Sequence, residues 1–232
     1  MYAPENTLAA FILAKEQGAD GIELDAKLSA DGEVVVFHDR TVDRTTQGKG
    51  RVNQLTLEQL RQLDAGIWKS TIFKGEKIPT LAEVFEAVGG KMIINIELTN
   101  YFSISDGLPH RVVNLVRKHK LEDSVMFSSF LPINLAEVRK IWPEAKIGML
   151  SFSGIPGLIS RSWFSSWVSP EVCLPHHKAV TRALVEERKK AGRKCIVWTV
   201  NSPEVMKRMI SFGVDGLITD DPPLGLKIRG EA

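Results

Sequence analysis

Two cysteines in 232 residues are too few for a disulfide framework, and Cys173 and Cys195 lack metal-finger spacing. A reducing, cytoplasmic compartment is the expectation. No apolar run approaches the roughly 20 residues needed to span a bilayer, so stable membrane insertion is not expected. The start of the chain shows no basic and apolar signal pattern. Charge of one sign is missing as well. Thirty basic residues balance 28 acidic ones for a net +2, with no arginine-rich stripe, which argues against a nucleic-acid partner. No Gly-rich phosphate loop follows an early strand, which disfavours an open doubly wound sheet. There is no internal repeat.

What is present is ordinary globular composition, 44% hydrophobic and 25% charged, at a length that suits one domain over residues 1–232. A monomer or homodimer is expected. Apolar strand-like runs alternate with helix-like ones. "GIELDAKL" at 21–28 and "EVVVFHD" at 33–39 flank an Asp31-Gly32 turn signal, and "KMIINIELT" at 91–99 follows. Further strand-like runs are "SVMFSSF" at 124–130, "AKIGMLSF" at 145–152, "EVCLP" at 171–175, "KCIVWTVN" at 194–201 and "DGLITD" at 215–220. The stretches 6–18, 79–90, 108–121, 181–192 and 202–213 carry helix periodicity, with Asn6 or Thr7, Thr181 and Ser202 as caps. This alternation predicts an α/β fold with a parallel sheet, a (βα)8 TIM barrel with 33–39 as a hairpin arm. The polar stretch 40–78 is too long for a simple connection and reads as a small insertion with a helix at 56–64.

Side chains at i and i+2 of a strand share a face, so Glu23 and Asp25 point the same way. A two-residue turn at Asp31-Gly32 pairs residues whose numbers sum to about 63, which sets Asp25 opposite His38. Two carboxylates on one face repel unless a cation sits between them. Glu97, closing the run "IINIE", is the third acid. An all-oxygen set suits one divalent cation, Mg²⁺ or Ca²⁺. No basic residue stands beside Glu97 in the sequence and no lysine reads at a suitable strand end, which disfavours a metal-assisted enolisation site. Glu5 reads either as a site residue or as a helix cap, Trp198 either as a substrate contact or as core, and His176-His177 as surface in preference to a substrate contact. Trp163, Phe164 and Trp167 within 155–170 read as a lip packed over the barrel, or as a lipid-touching one.

The ordered set "YAPENT" at 2–7, "GADGIELD" at 18–25, "VVVFHD" at 34–39, "RTTQGKG" at 44–50, "LDAG" at 63–66, "INIEL" at 94–98, "WTVN" at 198–201 and "GVDGLITDDP" at 213–222 resembles the glycerophosphodiester phosphodiesterase family over nearly the whole chain. The resemblance implies a (βα)8 barrel that hydrolyses small-molecule glycerophosphodiesters to an alcohol and glycerol 3-phosphate. It implies Glu23, Asp25 and Glu97 as metal ligands and His38 as one of two acid–base histidines. Substrate contacts fall to Trp198, Glu5 and Thr99. The chain departs from the family pattern twice. The His-Arg-Gly motif expected ahead of "YAPENT", with the first barrel strand, is not in this sequence. Thr99 stands where many family members carry a lysine, so phosphate neutralisation is expected to fall more heavily on the metal. The alternatives are a lysophospholipase D-type phosphodiesterase and a catalytically impaired phosphodiester-binding protein.

Overall fold

In the computed structural model, residues 1–154 and 168–231 are described. The fold is α/β, and the chain divides into two compact units, Met1–Val125 and Met126–Ala232. The aromatic segment with Trp163, Phe164 and Trp167 lies outside the described residues.

The first unit opens with helix α1 (Leu8–Glu16). Thr7, not Asn6, is its cap: the Thr7 hydroxyl oxygen accepts from the Ala10 N–H at 3.3 Å. Strand β1 (Gly21–Leu28) alternates, with Ile22, Leu24, Ala26 and Leu28 buried on one face and Glu23, Asp25 and Lys27 on the other. It runs antiparallel to β2 (Val34–Val36) and parallel to β3 (Ile93–Leu98). Helices α3 (Leu81–Val88) and α4 (Leu108–Lys118) complete the layer with α1, and α1 and α4 both pack on β1. In β3 the even residues Ile94, Ile96 and Leu98 are fully buried. Its odd face carries Asn95 and Glu97.

The turn between β1 and β2 differs from expectation. The observed pairs are Ala26 with Val36, Lys27 with Val35 and Leu28 with Val34, so the numbers sum to 62 rather than 63. Ser29 and Glu33 extend the same register, since the Ser29 N–H donates to the Glu33 carbonyl at 3.0 Å. That leaves a three-residue loop, Ala30-Asp31-Gly32, with Gly32 at φ +83°. Three-residue hairpin loops place a left-handed residue at this last position, where glycine pays no steric cost. Asp25 therefore faces Phe37, whose N–H donates to the Asp25 carbonyl at 2.9 Å, and His38 follows just past the paired run.

The polar stretch 40–78 has a small core of its own. Val42, Val52, Leu60, Ala65 and Ile78 pack with Val35 and Phe37. The helix expected at 56–64 is a short one, α2 (Leu57–Arg61), and Thr56 with Gln59 forms its capping box.

The second unit is a run of parallel strands joined by helices. The strands are β4 (Val125–Ser129, its first residue in the first unit), β5 (Ile147–Ser151), β6 (Val172–Pro175), β7 (Lys194–Val197) and β8 (Gly216–Leu217). Each pairs in parallel with the next. Helices α5 (Pro132–Ile141), α6 (Arg182–Lys190), α7 (Pro203–Ser211) and α8 (Pro222–Glu231) accompany them, and Thr181 and Ser202 cap α6 and α7 as read from the sequence. Gly148 on β5 leaves room for the buried Leu174 side chain of β6, since a Cβ there would stand 2.4 Å from Leu174 Cδ1. No helix among the described residues is long and apolar enough to cross a membrane.

Candidate active site

The parallel register of β1 and β3 sorts the polar faces of these two strands into rows. Glu23 lies beside Asn95, and Asp25 beside Glu97. The Thr99 N–H donates to the Ala26 carbonyl at 3.2 Å, which carries the register one step on and sets Lys27 beside Thr99. Oxygens of Glu23, Asp25 and Glu97 all lie within 4.8 Å of one another. Burial of Asp25 disfavours its charged form and raises its pKa, with Glu5 adding to the effect and His38, Lys27 and Asn6 opposing it. Glu97 is pushed up to about 7 by burial and by the Asp25 charge, against the pull of Tyr101, Lys27 and His38. Three converging carboxylates with two raised pKa values are strained by their own repulsion. A hard divalent cation relieves that repulsion and takes oxygen donors, so the residues present fit such an ion.

Two of the three acids are also held in place. Asn6 clamps Asp25 from both sides: its Nδ2 donates to Asp25 Oδ2 at 2.8 Å, and its Oδ1 accepts from the Asp25 N–H at 3.2 Å. Asn6 adopts φ +53°, a left-handed conformation that asparagine tolerates better than most residues. The Tyr101 hydroxyl donates to Glu97 Oε1. Neither residue was singled out by sequence as part of the site. "PENT" read as a helix start, and Tyr101 lies in a loop with no periodic signal.

His38 is an exposed side chain whose Nδ1 pairs with Asp39 Oδ1 at 2.7 Å. Loss of part of its water shell lowers its pKa, but the charge of Asp25 and the bond and charge of Asp39, with Glu5 behind them, outweigh that and raise it overall. Asp39 is in turn gripped by Arg44, whose Nε donates to Asp39 Oδ2 at 2.6 Å. That bond, with those from His38, holds Asp39 down at about 2 despite some burial. Glu5 does not cap α1; it pairs with Arg44 through bonds of 2.5 and 3.0 Å. Glu5, Arg44, Asp39 and His38 thus form a chain of charges ending at the imidazole. A carboxylate on Nδ1 leaves Nε2 as the nitrogen turned to proton transfer.

Lys27 corrects the expectation that no cation stands near Glu97. Its Nζ donates to Thr99 Oγ1 at 2.5 Å, and the Thr99 hydroxyl donates to the Ala26 carbonyl at 2.8 Å. Burial lowers the Lys27 pKa, opposed by Asp25, Glu97 and Asp39.

Trp198 sits in the second unit. Its indole N–H donates to the Leu174 carbonyl at 2.7 Å, and its ring meets Phe130, Phe152 and His176 edge-on at 5.5, 6.0 and 5.1 Å. His176 caps a short helical turn by accepting from the Lys178 N–H at 3.2 Å.

An α/β chain whose paired strands converge three carboxylates beside a carboxylate-oriented histidine has the parts of a metal-assisted acid–base catalyst. The sequence profile of the Glycerophosphoryl diester phosphodiesterase family matches residues 1–224, and the chain belongs to that family. It is 45% identical over 221 residues to a glycerophosphodiester phosphodiesterase of Caldanaerobacter subterraneus subsp. tengcongensis, covering 94% of this chain and 89% of that protein. A glycerophosphodiester phosphodiesterase of Bacillus altitudinis is 35% identical, covering 98% and 94%. Among solved structures, an Oleispira antarctica phosphodiesterase in complex with the product sn-glycerol-3-phosphate superposes with a TM-score of 0.91 at 31% identity, covering 99% of this chain and 92% of that one.

Proposed function

We propose that this protein hydrolyses glycerophosphodiesters with water to an alcohol and sn-glycerol 3-phosphate, on a (βα)8 scaffold with 40–78 as an insertion. The single observation that carries the reading is the Glu23–Asp25–Glu97 set beside an oriented His38. The names of the relatives and the product bound by the Oleispira phosphodiesterase support it. In this reading Glu23, Asp25 and Glu97 hold one divalent cation, Mg²⁺ or Ca²⁺. Such a cation stabilises charge on the non-bridging phosphate oxygens. His38 acts from Nε2 and gives a proton to the departing alcohol oxygen, because an alkoxide leaves poorly without one. Asp39 holds the imidazole for that transfer and favours its protonated form. Arg44 and Glu5 fix Asp39, so Glu5 serves the site at two removes rather than touching substrate. Glycerophosphocholine is a suitable first substrate.

Calorimetric titration with Mg²⁺ and Ca²⁺, paired with coupled detection of glycerol 3-phosphate, tests the reading. The parent is expected to bind one cation and release product. Glu97→Gln is expected to lose most of both. Metal binding without turnover would leave a phosphodiester-binding protein in place of an enzyme. Unchanged metal affinity in Glu97→Gln would remove the ligand assignment.

A further inference from the structure

A carboxylate set built to hold a divalent cation gains nothing from a lysine among its members, since like charges repel and the lysine weakens the metal's hold. Lys27 is nevertheless on the same face of β1 as Glu23 and Asp25, half-buried, with its ammonium steered by a hydroxyl. Thr99 Oγ1 spends its own hydrogen on the Ala26 carbonyl, so it can only accept from Lys27. One of the three ammonium N–H groups is thereby fixed, and two are left to donate elsewhere. A cation kept at that cost, aimed at that place, serves an anion other than the carboxylates.

We infer that Lys27 is the phosphate-binding cation of this site, contacting the non-bridging oxygens of the phosphodiester and of the product, and that Thr99 is the positioning residue that aims it. This rests on the proposed phosphodiesterase reading. It also revises the expectation that the threonine at position 99 shifts phosphate neutralisation more heavily onto the metal. The positive charge enters from β1, and Thr99 on the adjoining strand orients it. A charge-assisted hydrogen bond is stronger than a neutral one, so removing this one is expected to show in phosphate affinity.

The test is glycerol 3-phosphate binding to the protein saturated with Mg²⁺ or Ca²⁺, by calorimetry, with glycerol as the ligand lacking phosphate. Lys27→Met is expected to weaken glycerol 3-phosphate about ten- to a hundredfold, the scale of a hydrogen bond to a charged group. Metal affinity measured without phosphate should be equal or tighter. Lys27→Arg should recover part of the loss. Thr99→Val keeps the lysine charge and removes only its aim, so it should weaken glycerol 3-phosphate severalfold and leave metal affinity unchanged. Should Lys27→Met not fold, Thr99→Val and Lys27→Arg decide alone. A counter-ion that merely balances the carboxylates predicts the opposite pattern: altered metal affinity with glycerol 3-phosphate held as tightly as in the parent. That pattern overturns the assignment while leaving the phosphodiesterase reading intact. A metal-loaded parent that binds no glycerol 3-phosphate sinks both.

Discussion

The strands of the two units carry opposite kinds of side chain. In the first unit β1 and β3 present Glu23, Asp25, Lys27 and Glu97; burial raises the pKa of Asp25 and of Glu97, and the Asp25 charge adds to the rise at Glu97. In the second, the residues just past β4, β5, β6 and β7 are Phe130, Phe152, His176 and Trp198, and their rings meet one another. Phe130 and Phe152 stack at 4.2 Å. Acids within the strands hold electrostatic tension in one unit, and rings just past the strand ends meet in the other. Carboxylates converge only where something else repays the repulsion, so tension marks a place for chemistry. Ring contacts are favourable in themselves through stacked and edge-to-face geometry, even with Phe152 52% exposed.

The contrast is broken most severely at His38. His38→Ala is expected to reduce turnover of glycerophosphocholine about 10²- to 10⁴-fold, the usual contribution of one acid–base group. Metal affinity should stay near the parent's, because His38 is assigned to proton transfer. Parent-like turnover in this variant, or loss of the metal, ends that assignment.

A smaller effect is expected in the second unit. Trp198→Ala removes the bond to the Leu174 carbonyl and three ring contacts, and it should cost about 1–3 kcal/mol of stability in a denaturant titration. Trp198→Phe should recover much of that. If Trp198→Ala instead keeps its stability and raises KM for glycerophosphocholine, the indole is a substrate contact and the contrast between the units dissolves.

The smallest effect is on the pH dependence of folding. Glu97 sits at about 7, above its ordinary 4.5, so the folded protein holds this proton more tightly than the unfolded chain. In chelator, its contribution is full at the acid end of that window and is lost as pH rises through 7. The thermal midpoint should fall by several degrees on that account. With Mg²⁺ or Ca²⁺ present, the ion compensates the charge and this fall should vanish. Melts in chelator that do not respond to pH would mean Glu97 is better solvated than its surroundings suggest.

The parts of this site that local sequence encodes were legible. Period-2 alternation put Glu23 and Asp25 on one face, and polar caps marked three helix starts, with Thr7 chosen over Asn6 by the structure and Thr181 and Ser202 as read. The parts set by pairing across the chain were not. A one-residue difference in loop length moved Asp25 from His38 to Phe37, and nothing local tells a two-residue turn from a three-residue one around Asp31-Gly32. Lys27 meets Thr99 across 72 residues only because β1 and β3 lie in parallel register. The ring cluster around Trp198 draws on four strands, and each aromatic alone is unremarkable in sequence.

Asn6 shows how little freedom such a site leaves to its supporting residues. Its backbone torsion, φ +53°, admits glycine, asparagine and aspartate with least strain. Its side chain must at once accept from the Asp25 N–H and donate to the Asp25 carboxylate. Glycine meets the torsion and neither bond. Aspartate meets the torsion and one bond, and sets a negative charge against the carboxylate it should steady. Glutamine has both groups and the wrong backbone preference. Among the coded amino acids, one satisfies all three demands, so the mutational tolerance of position 6 shrinks to a single letter although Asn6 is not itself one of the three carboxylates.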